Sequence, residues 1–132
     1  PQRTSGLNGS AIGVVGANQG NGWDAAIAAN HLVAVVDHRA PGTGNLSLPQ
    51  ARRIDVRPWG ATTTILEQQA QSLGVVLPKP LACAALGAIV MQTQGLRSAS
   101  TTPQDRQSAA RLARRAGIQQ AQLLTSFDLQ ER

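Results

Sequence analysis

Leu32-Val33-Ala34-Val35-Val36-Asp37-His38-Arg39 decides how this chain is read. Five apolar residues run without a polar break and then stop on an acid, an imidazole and a guanidinium. An unbroken β-branched run of this length suits a strand covered on both faces, as in a parallel sheet. Polar residues that follow such a strand sit where α/β folds keep their ligands, outside the carboxyl ends of the strands.

Upstream, Ala11-Ile12-Gly13-Val14-Val15 is a second short run of the same kind. The Ala-rich stretch from Trp23 to Asn30 predicts a crossover helix between the two. Pro41 to Pro49, with Gly42, Gly44, Asn45 and Ser47, reads as a loop. Arg52-Arg53-Ile54-Asp55-Val56-Arg57 alternates, which predicts an edge strand with one face in water.

Helices follow. Thr62 or Thr63 can cap one that runs to Leu73, with Gly74 to stop it. Pro80 suits the first turn of a nearly all-apolar helix, Leu81 to Met91, expected to be central. Thr102-Pro103-Gln104-Asp105 offers a Thr cap, Pro at the first helical position and an acid at the third, a variant of the capping box. That helix should run to Ala116 with Ala109, Leu112, Ala113 and Ala116 on one face, and Gly117 should end it. A last helix is expected over 119–127. Strands alternating with helices predict an α/β fold, a mainly parallel sheet flanked by helices.

A chain of 132 residues fits one domain, and 42% apolar with 14% charged residues suits a folded one. Trp23, Trp59 and Phe127 are the only aromatics, so Val, Ile, Leu and Ala must build the core. Three are also too few for a single-strand stacking platform, which argues against nucleic acid. The formal charge of +5 favours anionic partners, although a solvated helix face explains most such excesses. The lone cysteine, Cys83, lies in an apolar stretch and reads as a small core residue in a reducing, cytoplasmic setting. No run approaches the roughly eighteen apolar residues of a membrane span. Pro1 is no initiator, and the N-terminus reads as cut.

Phosphoanhydride hydrolysis near neutral pH needs charge neutralisation on the phosphates and an activated water, which hard divalent ions held by Asp and His supply. With seven acids and two histidines in all, only Asp24, His31, Asp37 and His38 lie near the ends of the two best strands. From the residues alone, His38 is a metal ligand, a phosphate contact or a hydrogen-bonded loop histidine. Asp37 either orients His38 or caps a turn. Arg39 is a phosphate contact or a surface arginine, and Arg106, Arg111, Arg114 and Arg115 read as the wet face of a helix.

Three further strings bear on the choice: Arg57-Pro58-Trp59-Gly60-Ala61-Thr62-Thr63-Thr64, Gly87-Ala88-Ile89-Val90-Met91-Gln92-Thr93, and Arg97-Ser98-Ala99-Ser100-Thr101-Thr102-Pro103-Gln104-Asp105. With Asp37-His38-Arg39 they resemble the DHH phosphoesterase superfamily, and within it the manganese-dependent (family II) inorganic pyrophosphatases. The likeness covers about 11–118 and is firmest over 32–38 and 54–118. It implies a partial DHH-type domain over 1–132 that hydrolyses diphosphate to two phosphates in a cleft at strand ends, with Mn2+ or Mg2+ as cofactor. It assigns His38 to the metal, Asp37 to holding His38, and Arg39 to the phosphate, in place of the family's second histidine. A related branch, the prune-like proteins, carries Asp-His-Arg at this motif.

Departures from the pattern are equally specific. Gly16-Ala17-Asn18 stands where the family has Asp-His-Asn, and Met91-Gln92-Thr93 where it has Ser-Asp-Thr. The family's opening strand and its C-terminal, substrate-closing domain have no counterpart. Two readings therefore stay open: a metal-dependent diphosphatase, or a catalytically inactive module of the same fold that binds a phosphorylated ligand or a partner protein. A missing strand leaves an edge needing cover, so a homo-oligomer is expected.

Overall fold

The structure, a computed structural model, describes residues 11–16, 32–39, 53–119, 121–122 and 125. The chain divides into two compact units, Pro1–Arg57 and Pro58–Arg132.

Among the described residues the first unit holds three strands, β1 (Ile12–Val15), β2 (Leu32–Asp37) and β3 (Arg53–Val56), in the order β1-β2-β3. Both pairings are parallel, as the unbroken apolar runs of β1 and β2 suggest. Register sets Val15 opposite Val36, and Asp37 opposite Val56. β2 is central and buries Val35, Val36 and Asp37. Expected burial on both faces does not extend to β1, where Val15 is 56% exposed. Among the described residues β1 has a neighbouring strand on one side only, which a continuous apolar run does not reveal. β3 lies at the edge as predicted, but its burial does not alternate: Arg53 and Ile54 are exposed, Asp55 and Val56 half-buried. The predicted helix over 23–30 and loop over 41–49 lie outside the described residues, as do Asp24 and His31.

The second unit holds α1 (Thr62–Ser72), α2 (Lys79–Gln92) and α3 (Pro103–Ala116). Its core is Ala61, Ala82, Leu86, Ile89, Val90, Leu96, Ala109, Leu112, Ala113 and Ala116. Each large aliphatic side chain so buried contributes about 1.5–3 kcal/mol. α3 begins and ends as its sequence predicts. Thr102 caps it, Asp105 completes the capping box, and Gly117 closes it at φ 70°. α1 starts without a side-chain cap, since Ala61 holds the N-cap position and Thr62 and Thr64 are buried instead. It stops at Gly74, whose φ of 68° lets Val75 N–H reach the Ala70 carbonyl at 2.8 Å.

α2 departs from expectation. Only Ala82, Leu86, Ile89 and Val90 of it are buried, while Leu81 and Met91 are largely exposed. Cys83 is exposed as well, not a core residue. A helix apolar all round gives no sign of which stripe is covered, and Cys83 falls off that stripe. Beyond α3, helical backbone recurs at 121, 122 and 125, within the predicted last helix. Among the described residues no helix is long and apolar enough to cross a membrane.

Candidate functional site

Asp37, His38 and Arg39 leave the carboxyl end of the central strand together, as the sequence predicts. Asp37 is fully buried. Its Oδ1 accepts from the His38 amide at 2.8 Å and from the Arg39 amide at 3.4 Å, so one carboxylate oxygen turns the chain as it leaves β2. The same oxygen lies 3.5 Å from His38 Nδ1 and 3.5 Å from Arg39 Nε. Asp37 therefore both caps the turn and faces the imidazole. Its other oxygen, Oδ2, is buried with no hydrogen-bond partner. Such an orphan acceptor costs about 1–3 kcal/mol, a penalty that folded proteins seldom carry except where a site needs it.

Arg39 bridges two strand ends. Its Nη2 donates to the Gly16 carbonyl, directly after β1. Gly16 makes the turn at φ 74°, and its amide donates to the Val36 carbonyl at 2.8 Å. On the other side of β2, the Arg57 amide donates to the Asp37 carbonyl at 3.1 Å, and its guanidinium pairs with Asp55 at 2.7 and 3.0 Å. The carboxyl ends of all three strands thus carry Gly16, Asp37-His38-Arg39 and Arg57. Sequence reading passed over Arg57 as a strand residue; its place in register beside His38 is the signal that was available only after pairing.

A manganese ion needs several oxygen and imidazole donors around it. Asp37 offers one uncommitted oxygen and His38 one imidazole. Among the described residues no three His, Cys, Asp or Glu side chains gather as a ligand set. Gln92, at the place where the family keeps an Asp, is an exposed residue at the end of α2 and could bring only a neutral amide. The described donors do not fit the ion.

The second unit has a separate polar centre that sequence reading saw only as a helix cap. Asp105 is fully buried, and Oδ2 accepts from the Gly60 amide at 2.9 Å, the Thr102 amide at 2.7 Å and the Thr102 hydroxyl at 2.6 Å. Oδ1 accepts from the Thr64 hydroxyl at 2.6 Å. Burial pushes this carboxyl up, but the bonds from Thr102, Thr64 and Gly60 outweigh it and hold the group below its ordinary value. Two of the three strings that carry the family likeness therefore meet on one carboxylate. Arg97 and Ser98 extend the same region: the Ser98 hydroxyl lies 2.9 Å from that of Thr101.

Nearby, Glu67 of α1 takes a hydrogen bond from Ser108 at 2.7 Å and a two-pronged pair from Arg111 at 3.0 and 2.7 Å. Burial raises the Glu67 carboxyl, yet Arg111 and Ser108 bring it below its ordinary value, and Arg111 is raised in turn. Arg115 donates to the Leu77 carbonyl at 2.7 Å. The expected wet face of α3 is thus wet at Arg106, Arg114 and Arg115, and Arg111 alone of the four is half-buried, turned back onto Glu67. An apolar groove of about 270 Å³ lies alongside, lined by Leu66, Leu77, Leu81 and Ala85 among others.

No protein-family model matches the chain. Among curated proteins it is 36% identical over 87 residues to a protein of Archaeoglobus fulgidus named as a probable manganese-dependent inorganic pyrophosphatase. Proteins of the same name from Brevibacillus brevis and Shouchella clausii are 38% and 33% identical over 87 residues. The matches take in 66% of this chain, which spans 26–27% of the length of these relatives. Among solved structures it is similar to a Methanococcus jannaschii protein assigned to the family II inorganic pyrophosphatases, with a TM-score of 0.64 and 25% identity over 73% of this chain and 34% of the other. The α/β fold, with its parallel three-stranded sheet flanked by helices, resembles a family II pyrophosphatase domain, and the relatives' names support that family for the chain.

Proposed function

We propose that this chain is a DHH-type domain, over 1–132, whose strand-end cluster of Asp37, His38 and Arg39 takes up diphosphate, as in a manganese-dependent inorganic pyrophosphatase. The observation that carries the reading is the buried Asp37 carboxylate at the end of the central parallel strand, with Oδ2 unsatisfied and His38 and Arg39 beside it. Asp37 fixes the turn and faces the imidazole. Arg39 supplies positive charge where a phosphate oxygen would come to lie.

A second reading is favoured by the donor set: uptake of a phosphorylated ligand without turnover. The described residues supply one imidazole and one carboxylate oxygen, too little for the charge neutralisation and water activation that hydrolysis needs.

The test is phosphate release from diphosphate by the purified chain, with and without manganese, beside His38→Ala. Manganese-dependent release that is lost in the variant establishes the hydrolase. Diphosphate binding without release, weakened in His38→Ala, establishes the second reading. A chain that neither binds nor cleaves diphosphate overturns both.

A further inference from the structure

We infer that the helical unit carries a pocket for a small monocarboxylate with an apolar body, held at its charged end by Arg115 of α3 with Arg111 beside it. The pocket lies wholly within the unit Pro58–Arg132.

It is formed by the second half of α1, the connection to α2 and the last turns of α3, and measures about 170 Å³. Its walls include the aliphatic side chains of Val75, Val76, Leu77 and Leu112. An apolar cavity of about 150 Å³ takes one benzene, so this volume suits a hydrocarbon body of roughly six carbons. Val75 and Val76 are each more than half exposed, apolar surface that such a body would cover.

Both guanidiniums line this one pocket, because their residues stand about one turn apart on the same face of α3. Arg115 uses only Nε within the protein, donating to the Leu77 carbonyl at 2.7 Å. That bond ties the guanidinium to a wall of the pocket and leaves its two Nη groups, a fork matched to a carboxylate, without a partner among the described residues. Arg111 commits Nε and Nη2 to Glu67 and Ser108, so it contributes charge more than donors.

Charge selects the anion. Among the described residues Glu67 is the one acid that lines the pocket, and Arg111 and Ser108 hold both its oxygens. Two guanidiniums against one carboxylate leave a single positive charge. A monocarboxylate balances it, whereas a phosphate dianion brings one negative charge too many against apolar walls. Residues 58–118 carry six Lys and Arg against two acids, so the surroundings attract an anion.

The experiment titrates hexanoate into the isotope-labelled whole chain and follows backbone amide shifts by NMR, beside hexanol, acetate and inorganic phosphate. Saturable shifts are expected at Val75, Val76 and Leu77 and over 111–115, with a Kd on the order of 1 mM. Hexanol has the body without the charge, and acetate and phosphate have charge without the body; each should bind at least about tenfold more weakly. Arg115→Gln should weaken hexanoate about tenfold. Val76→Glu, which sets a rival carboxylate at an exposed wall residue, should do the same and tests the pocket even where Arg115→Gln fails to fold. Melting curves check both variants. Hexanol binding as tightly as hexanoate removes the guanidiniums from recognition, and acetate or phosphate binding as tightly removes the apolar walls; either overturns the proposal. So does wild-type affinity in a folded Arg115→Gln or Val76→Glu, and so do hexanoate shifts that are absent or confined to other segments.

Discussion

Gly60 and Asp105 illustrate how much of this protein turns on single atoms. A Cβ added at Gly60 would lie 2.8 Å from Thr93 Cγ2, 2.9 Å from Asp105 Oδ2 and 3.2 Å from the Ser100 carbonyl. Thr93 and Asp105 are fully buried and held by hydrogen bonds, so neither can yield cheaply. Gly60→Ala should therefore destabilise by about 1–3 kcal/mol, read as a lower urea midpoint at unchanged slope. An Ala variant as stable as wild type would mean that the 58–64 segment shifts freely, against the contact geometry. Asp105→Asn tests the other partner. An amide presents two donors to a ring of donors, so the Gly60, Thr64 and Thr102 bonds cannot all be kept. The expected loss is about 3 kcal/mol. Thr64→Val, which removes one bond, should cost about 1 kcal/mol.

Between elements, the same carboxylates make the helical unit sensitive to acid. Asp105 ties the segment before α1 to the start of α3, and Glu67 ties α1 to α3 through Arg111 and Ser108. Both groups titrate below their ordinary values. A depressed carboxyl contributes stability that is full above its unfolded value and is lost as pH falls through its folded one. Stability should thus hold from neutral pH down to about 4, the ordinary carboxylate value, and then decline. Urea midpoints between pH 7 and pH 3 check this, and Glu67→Gln should flatten the decline. The turn after α2 makes a different prediction. Gln94, Gly95 and Leu96 all take left-handed φ, at 50°, 70° and 62°. Thr93 holds the turn from inside: its hydroxyl donates to the Ile89 carbonyl at 2.6 Å and accepts from the Leu96 amide at 3.1 Å. Gln94 is exposed and gains nothing from its side chain to offset the strain, so Gln94→Gly should stabilise by roughly 0.5–1 kcal/mol and raise the melting temperature. Boundaries of α3 were legible because Thr102, Pro103, Asp105 and Gly117 state them locally. The Asp105 and Glu67 networks were not, because their partners lie 41 to 45 residues away. Likewise Asp37-His38-Arg39 could be placed at a strand end from the run before it, while Arg57 became visible only through strand register.

Across the whole molecule, twelve Lys and Arg residues face seven Asp and Glu. Four of those acids are described, and each makes an internal contact through at least one carboxylate oxygen. Asp37 holds the turn after β2, Asp55 pairs with Arg57, Glu67 pairs with Arg111, and Asp105 sits in its ring of donors. The acids are thus spent on internal contacts, while Arg97, Arg106 and Arg114 stay on the surface. A chain of this kind attracts polyanions without recognising them. Attraction of that sort is governed by counterion release, and its logarithm falls with the logarithm of salt by about 0.7 per phosphate neutralised on a single strand. Anisotropy of a labelled oligonucleotide should therefore report weak binding near 50 mM salt that is lost by about 200 mM, with no preference among sequences. If diphosphate engages a fixed set of side chains at the strand ends, as proposed, its uptake should decline less over the same interval. Tight oligonucleotide binding that survives 200 mM salt would identify a nucleic-acid site and displace diphosphate as the ligand. A parallel decline of both ligands would reduce the strand-end arginines to surface charge.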